Sequence, residues 1–188
     1  IELNPAFAET VRMKPSGYTI TFPNRTTIEA IPVDPKGEAG GNDDMVCFSE
    51  LWGANQTAAM RMWTEMTLSP TKFGQSFRWV ETYAGFTGES PLLEQLYETG
   101  VKRGRHIGAE LGFPDLEVYA NEEARLFCLW NTRPRLPWQT PEYYAQEAAV
   151  LPPNEFQRVH RNQWVSSQEA FIDMLWWDAC REALPPLG

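Results

Sequence analysis

A continuous apolar run closed by an acid, Met45-Val46-Cys47-Phe48-Ser49-Glu50, constrains this chain more than any other stretch. Its leading residues lack the alternation of a half-buried strand, so they predict a short strand buried on both faces of a parallel sheet. Asn55 stands where a helix would be capped, and Ala59, Met62, Trp63 and Met66 then recur at helical spacing. Phe77-Arg78-Trp79-Val80-Glu81-Thr82 reads as a second strand. Ser90-Pro91 opens a second helix with N-cap and first-turn chemistry, and its apolar face carries Leu93, Leu96, Tyr97 and Val101. Strand, helix, strand, helix in that order favours an α/β fold built on a parallel sheet.

The flanking segments add smaller units. Residues 17–33 alternate as a hairpin does, with Tyr18, Ile20 and Phe22 on one face and Ile28 and Ala30 beyond the Pro23-Asn24-Arg25 turn. Asp34 to Asp44 is a loop rich in glycine and acid. Residues 116–130 suggest two strands around an Asn-Glu-Glu turn, added to the main sheet. The character then changes, which divides the chain into an α/β unit over 1–131 and a helical subdomain over 132–188. Arg133 to Trp138 is extended and broken by prolines. Thr140-Pro141 caps a helix to about Val150, and Pro152-Pro153 restarts one to about Trp164. Ser166 or Ser167 caps a last helix with Ile172, Leu175, Trp176, Ala179 and Ala183 as its apolar stripe.

Composition excludes some functions. A net charge of −9 makes the chain a poor sequence-independent binder of nucleic acid by itself, because neutralising phosphates requires clustered Lys and Arg. Cys47, Cys128 and Cys180 are widely spaced in apolar surroundings, with no CxxC or Cys/His cluster, so they read as buried free thiols rather than zinc ligands. No metal ligand set is assigned. No apolar run approaches membrane-spanning length.

Chemistry is concentrated at two strand ends. Open α/β sheets bind ligands at the carboxyl ends of their strands, and nucleotide hydrolases place acids there beside the phosphates. One acid holds Mg²⁺ and a second orients or deprotonates the attacking water. Here Glu50 is the acid and Ser49 fills the metal-associated position. At the next strand end, Glu81-Thr82-Tyr83-Ala84-Gly85 places a threonine where it can sense a terminal phosphate. Taken alone, both are also what an ordinary strand entering a loop presents. His106 lies in a basic cluster at a predicted helix end and reads as solvated. His160 reads as a surface or satisfied histidine. Trp138, Trp164, Trp176 and Trp177 read as packing for the helical subdomain, and Asp43 and Asp44 as part of a solvated loop. Neither Arg25 nor Arg61 is singled out as an arginine finger.

Three stretches together, FSELWGANQTAAMRMWTEM, FRWVETYAGFTGESPLLEQLYETG and LPWQTPEYYAQEAAVLPPNEFQRVHRNQWVSSQEAFI, resemble the large terminase subunits of tailed phages. The matching features are the Walker B-like strand ending at Ser49 and Glu50, the segment Thr82 to Gly85, and the pattern L-P-P-x-x-F-x-R-x-x-x-N-x-W. The resemblance runs roughly from Tyr18 to Gly188. It implies the second half of a P-loop-type ATPase core followed by a helical linker subdomain. Glu50 would be the catalytic glutamate, and Thr82, Tyr83, Ala84 and Gly85 the coupling motif. ATP and Mg²⁺ would be the cofactors. The partners would be double-stranded DNA, the portal of the procapsid and the small terminase subunit, in the host cytoplasm and away from any membrane. The family usually carries Asp where Ser49 stands.

No G-x-x-x-x-G-K-[ST] occurs in these residues. The phosphate loop is therefore expected upstream of Ile1, and a nuclease domain beyond Pro185-Pro186. Without the strands before Ile1, one apolar sheet face should be left open, and the chain made alone should associate or be poorly soluble. The alternative is a non-catalytic interaction module that docks through its aromatic helices.

Overall fold

The computed structural model describes residues 5–14, 16, 18–33, 43–66 and 76–166. It is a mixed α/β structure with small sheets, one of them parallel. The apolar run forms β4 (Met45–Ser49), which pairs in parallel with β5 (Phe77–Glu81) so that Ser49 lies opposite Glu81. Between them in sequence runs α2 (Gln56–Glu65), capped as its sequence foretells: the Asn55 side chain accepts from the Ala58 amide at 3.0 Å. After β5 comes α3 (Pro91–Tyr97). Val46 and Phe48 bury one face of β4 against Ala59, Met62 and Met66 of the α2 segment and Leu92 and Leu93 of α3. Burying each large aliphatic side chain contributes roughly 1.5–3 kcal/mol. Arg78 lies on the same inner face. Its Nη2 donates to the Trp63 and Met66 carbonyls at 2.8 and 2.9 Å, satisfying orphan acceptors at the end of α2.

The opposite face of β4 and β5 corrects the expectation of a strand buried on both sides. Met45, Phe77 and Trp79 are 49%, 48% and 51% exposed, and Cys47 is exposed as well. Cys47 is thus not a buried thiol, and Cys128 is only half-buried. Helices cover just one side of the pair among the described residues, so apolar content on the other side does not produce burial. Cys180, Trp176, Trp177 and the residues expected to form a last helix after Ser166 or Ser167 lie outside the described residues, as does most of the acidic loop.

The flanking sheets differ from expectation in extent. The hairpin is present as β2 (Thr19–Thr21) and β3 (Thr27–Glu29), but β1 (Arg12–Lys14) joins it as a third antiparallel strand, preceded by the short helix α1 (Pro5–Thr10). Arg25 occupies the hairpin turn at φ 69°. Strands β7 (Val118–Asn121) and β8 (Leu126–Leu129) do flank the Asn-Glu-Glu turn. They belong, however, to a separate antiparallel sheet with β6 (Arg105–His106) and do not extend the parallel pair. His106 is accordingly a strand residue rather than the end of a helix, and its Nε2 lies 2.9 Å from the Leu116 carbonyl oxygen. A turn of π-helix over Glu98–Lys102 ends α3 where Gly100 packs against the Cys128 sulfur, a spot that admits no side chain.

The helical segment comprises α4 (Pro141–Val150) and α5 (Pro153–Arg161). The Thr140 hydroxyl accepts from the Tyr143 amide at 3.2 Å and caps α4. Helix α5 stops short of Trp164, because Asn162 turns left-handed at φ 49°. His160 is satisfied between the helices, 3.5 Å from Glu147 and in ring contact with Tyr144 and Phe156. Trp164 packs as expected, stacked on Trp130 at 6.3 Å, whereas Trp138 is 64% exposed rather than packed into the helical segment. No helix among the described residues is long and apolar enough to cross a membrane.

Candidate functional site

Both singled-out segments emerge at the same end of the parallel pair. β4 hands over to Glu50, whose amide donates to the Glu81 carbonyl at 2.8 Å and so extends the pairing by one residue. Glu50 then adopts φ 52° and ψ 47°, a left-handed conformation that costs a non-glycine residue about 1–2 kcal/mol. This kink starts a 3-10 turn over Leu51–Gly53 and brings Trp52 back towards Glu50. The Trp52 indole Nε1 donates to Glu50 Oε2 at 2.8 Å. A carboxylate held on a strained backbone by a single aromatic donor has a defined orientation while staying open to solvent, and strain of this kind concentrates at functional sites.

Trp52 also ties Glu50 to the second segment. Its backbone amide donates to Thr82 Oγ1 at 3.1 Å, and the Thr82 hydroxyl donates in turn to the Tyr83 carbonyl at 3.0 Å. The Trp52 carbonyl accepts from Ser90 Oγ at 3.0 Å. Ser90 is fully buried, and its side chain makes no cap to α3, contrary to the sequence expectation. The hydroxyl is diverted because it faces the Trp52 turn.

The remaining members of the segment contact the stretch after α5. The buried Ala84 amide donates to Asn162 Oδ1 at 2.8 Å, and Asn162 Nδ2 donates to the Asn131 carbonyl. Phe86 forms a parallel bridge with Val165, with the Thr87 amide donating to the Val165 carbonyl at 2.8 Å. Gly85 is required by crowding: a Cβ there would lie 2.6 Å from Ser90 Oγ and 3.1 Å from the Trp164 ring. Tyr83 remains partly exposed.

Ser49, Glu50 and Thr82 to Gly85 are therefore neighbours in space, while Arg25 and Arg61 have no place in this cluster. Sequence reading missed Trp52, Ser90, Glu81, Arg158 and Asn162. Of these, Arg158 and Asn162 stand at fixed positions of the L-P-P-x-x-F-x-R-x-x-x-N-x-W pattern, but the pattern does not say what either one touches. Glu81 lies across from Ser49 on the same exposed face, so a carboxylate stands beside that serine. Its charge, after burial, pushes the Cys47 thiol above its ordinary pKa.

No three His, Cys, Asp or Glu side chains converge on a point among the described residues. A cleft of about 250 Å³ is lined by Trp52, Gly53, Ala54, Phe86, Glu89 and Ser90. It lies behind the Trp52 turn and is bordered by neither Glu50 nor Thr82, so it does not supply walls for a triphosphate. No family model, no curated protein and no solved structure matches this chain.

Proposed function

We propose that this chain forms the second half of the ATPase motor of a tailed-phage DNA-packaging machine, a large terminase subunit. The observation that carries the reading is the Glu50–Trp52–Thr82 connection at the carboxyl end of a parallel strand pair. In this reading Glu50 orients and deprotonates the attacking water, general-base work worth about 10²–10⁴ in rate. Mg²⁺ supplies charge neutralisation at the phosphates when bound. Ser49 and Glu81 are the polar groups at the strand ends that would hold it, with Glu81 standing in for the aspartate. Thr82 reports on the phosphate side through the Trp52 amide. Asn162 and Val165 carry that report to the helical segment, whose movement drives double-stranded DNA into the procapsid.

The phosphate loop must come from elsewhere in the gene product, since positioning of the phosphates supplies most of this catalysis. The test is nucleotide turnover. DNA-stimulated ATP hydrolysis by the full gene product, with negligible turnover by the 188-residue chain alone, is expected. Turnover by the 188-residue chain that Glu50→Gln abolishes, or a full gene product that does not bind ATP, refutes the reading.

The exposed Trp138, together with Met45, Phe77 and Trp79 on the open sheet face, favours a second reading as a non-catalytic interaction module. Partner capture that is unaffected by nucleotide and lost on Trp79→Ala would support it over hydrolysis.

A further inference from the structure

Arg158 is an unusual residue to find where α5 meets the Glu50 turn. It is 4% exposed, and its guanidinium carbon lies over the Trp52 ring, 3.6 Å from the centroid, with the Phe86 centroid at 5.1 Å. One arm is held by Glu155 Oε2 at 2.6 Å, one turn back on the same helix. Its Nε and Nη1 are buried without a hydrogen-bond partner among the described residues. Burying a cation with two unsatisfied donor atoms is costly, so the arrangement is not what core packing alone would select. The cation–π contact with the half-buried indole offsets part of that cost and fixes the plane of the ring. The edge of that same indole carries the Nε1–H that holds Glu50.

We infer that Arg158 is a positioning residue for Glu50, acting through the Trp52 ring, so that the seating of α5 sets the orientation of the carboxylate. The inference rests on the reading of Glu50 as the water-activating group, and it adds the direction of coupling: from the helical segment back to the chemical step. When α5 is seated, Arg158 lies over the ring while Thr82 and Ser90 hold the Trp52 backbone, and the indole N–H points at Glu50. When α5 lifts, the guanidinium gains water for its unsatisfied donors and the ring is released. Hydrolysis is thereby confined to the seated state.

The experiment has two arms. In the full gene product, the Trp52 indole ¹H–¹⁵N resonance is identified by its loss in Trp52→Phe. Arg158→Met is expected to shift that resonance and to speed its exchange with solvent about tenfold or more, in line with local release. Glu50→Gln should shift the same resonance, and Arg158→Lys should restore part of the wild-type position. In the full gene product, Arg158→Met is expected to lower kcat for ATP about tenfold with KM unchanged, the pattern of a lost transition-state interaction.

An indole resonance unmoved in folded Arg158→Met overturns the inference. A moved resonance with wild-type kcat overturns it too, because the effect would not reach Glu50. Should Arg158→Met fail to fold, Glu155→Ala removes the acceptor that holds one arm of the guanidinium and gives the same readouts. A wild-type product with no ATPase activity, but with an indole that responds to Arg158 and Glu50, sinks the hydrolysis reading while upholding the Arg158–Trp52–Glu50 linkage.

Discussion

Gly85 offers a quantitative test of how tightly the two strand ends are bound to the helical segment. A Cβ added there would sit 2.6 Å from Ser90 Oγ, 2.9 Å from Ser90 Cβ and 3.1 Å from Trp164 Cζ3. None of these neighbours is the free end of a flexible chain: Ser90 is fully buried and bonded to Trp52, and Trp164 is stacked on Trp130. Overpacking of this kind costs about 1–3 kcal/mol, and loss of the Ser90–Trp52 hydrogen bond adds about 0.5–1.5 kcal/mol. Gly85→Ala should therefore destabilise the chain by roughly 2–4 kcal/mol, a large share of a typical total of about 5–15 kcal/mol. With a urea m-value of about 2 kcal/mol/M, the unfolding midpoint should fall by about 1–2 M at unchanged m.

Gly53→Ala is the matched control. A Cβ there meets nothing within 4 Å, and the substitution should leave the midpoint unchanged or raise it slightly through the lower entropy of the unfolded chain. Equal midpoints for Gly85→Ala and Gly53→Ala would refute the claim that Gly85 is wedged between Ser90 and Trp164.

Three further outcomes are expected. Asn162→Ala removes the acceptor for the buried Ala84 amide and should cost about 1–3 kcal/mol in urea denaturation, with Asn162→Asp recovering part of the loss. Thr140→Ala should cost about 1 kcal/mol by uncapping α4, read as a lower thermal midpoint. In a chain whose other cysteines are Ser, the Cys47 thiol, pushed up by burial and then by Glu81, should alkylate more slowly at pH 8 than a free thiol. The reactive thiolate forms only as pH rises through the raised pKa, so the rate should climb at higher pH, and Glu81→Gln should speed it at pH 8.

The elements that could be read from sequence are those whose signals are local. Asn55 and Thr140 announce their helices because a cap bonds within three residues, and β4 and β5 follow from short apolar runs broken by turns. What could not be read depends on contacts far along the chain. Ser90 looks like an N-cap, yet its hydroxyl goes to Trp52, 38 residues earlier. Continuous hydrophobicity in β4 implied two covered faces, but coverage is decided by where helices pack, and only Val46 and Phe48 receive them. The left-handed Glu50 carries no sequence mark, since glycine is the usual signal and is absent there. Arg158 is not singled out by its sequence, because nothing within α5 reveals that Trp52 lies beneath it.

Glu50→Gln in the full gene product tests the central claim most directly. The amide keeps the size of the side chain and an oxygen for the Trp52 indole, but cannot take a proton from water. The account predicts ATP binding within a few-fold of wild type and a kcat lower by about 10²–10⁴. Unchanged turnover with intact binding would contradict it and remove Glu50 from the chemistry.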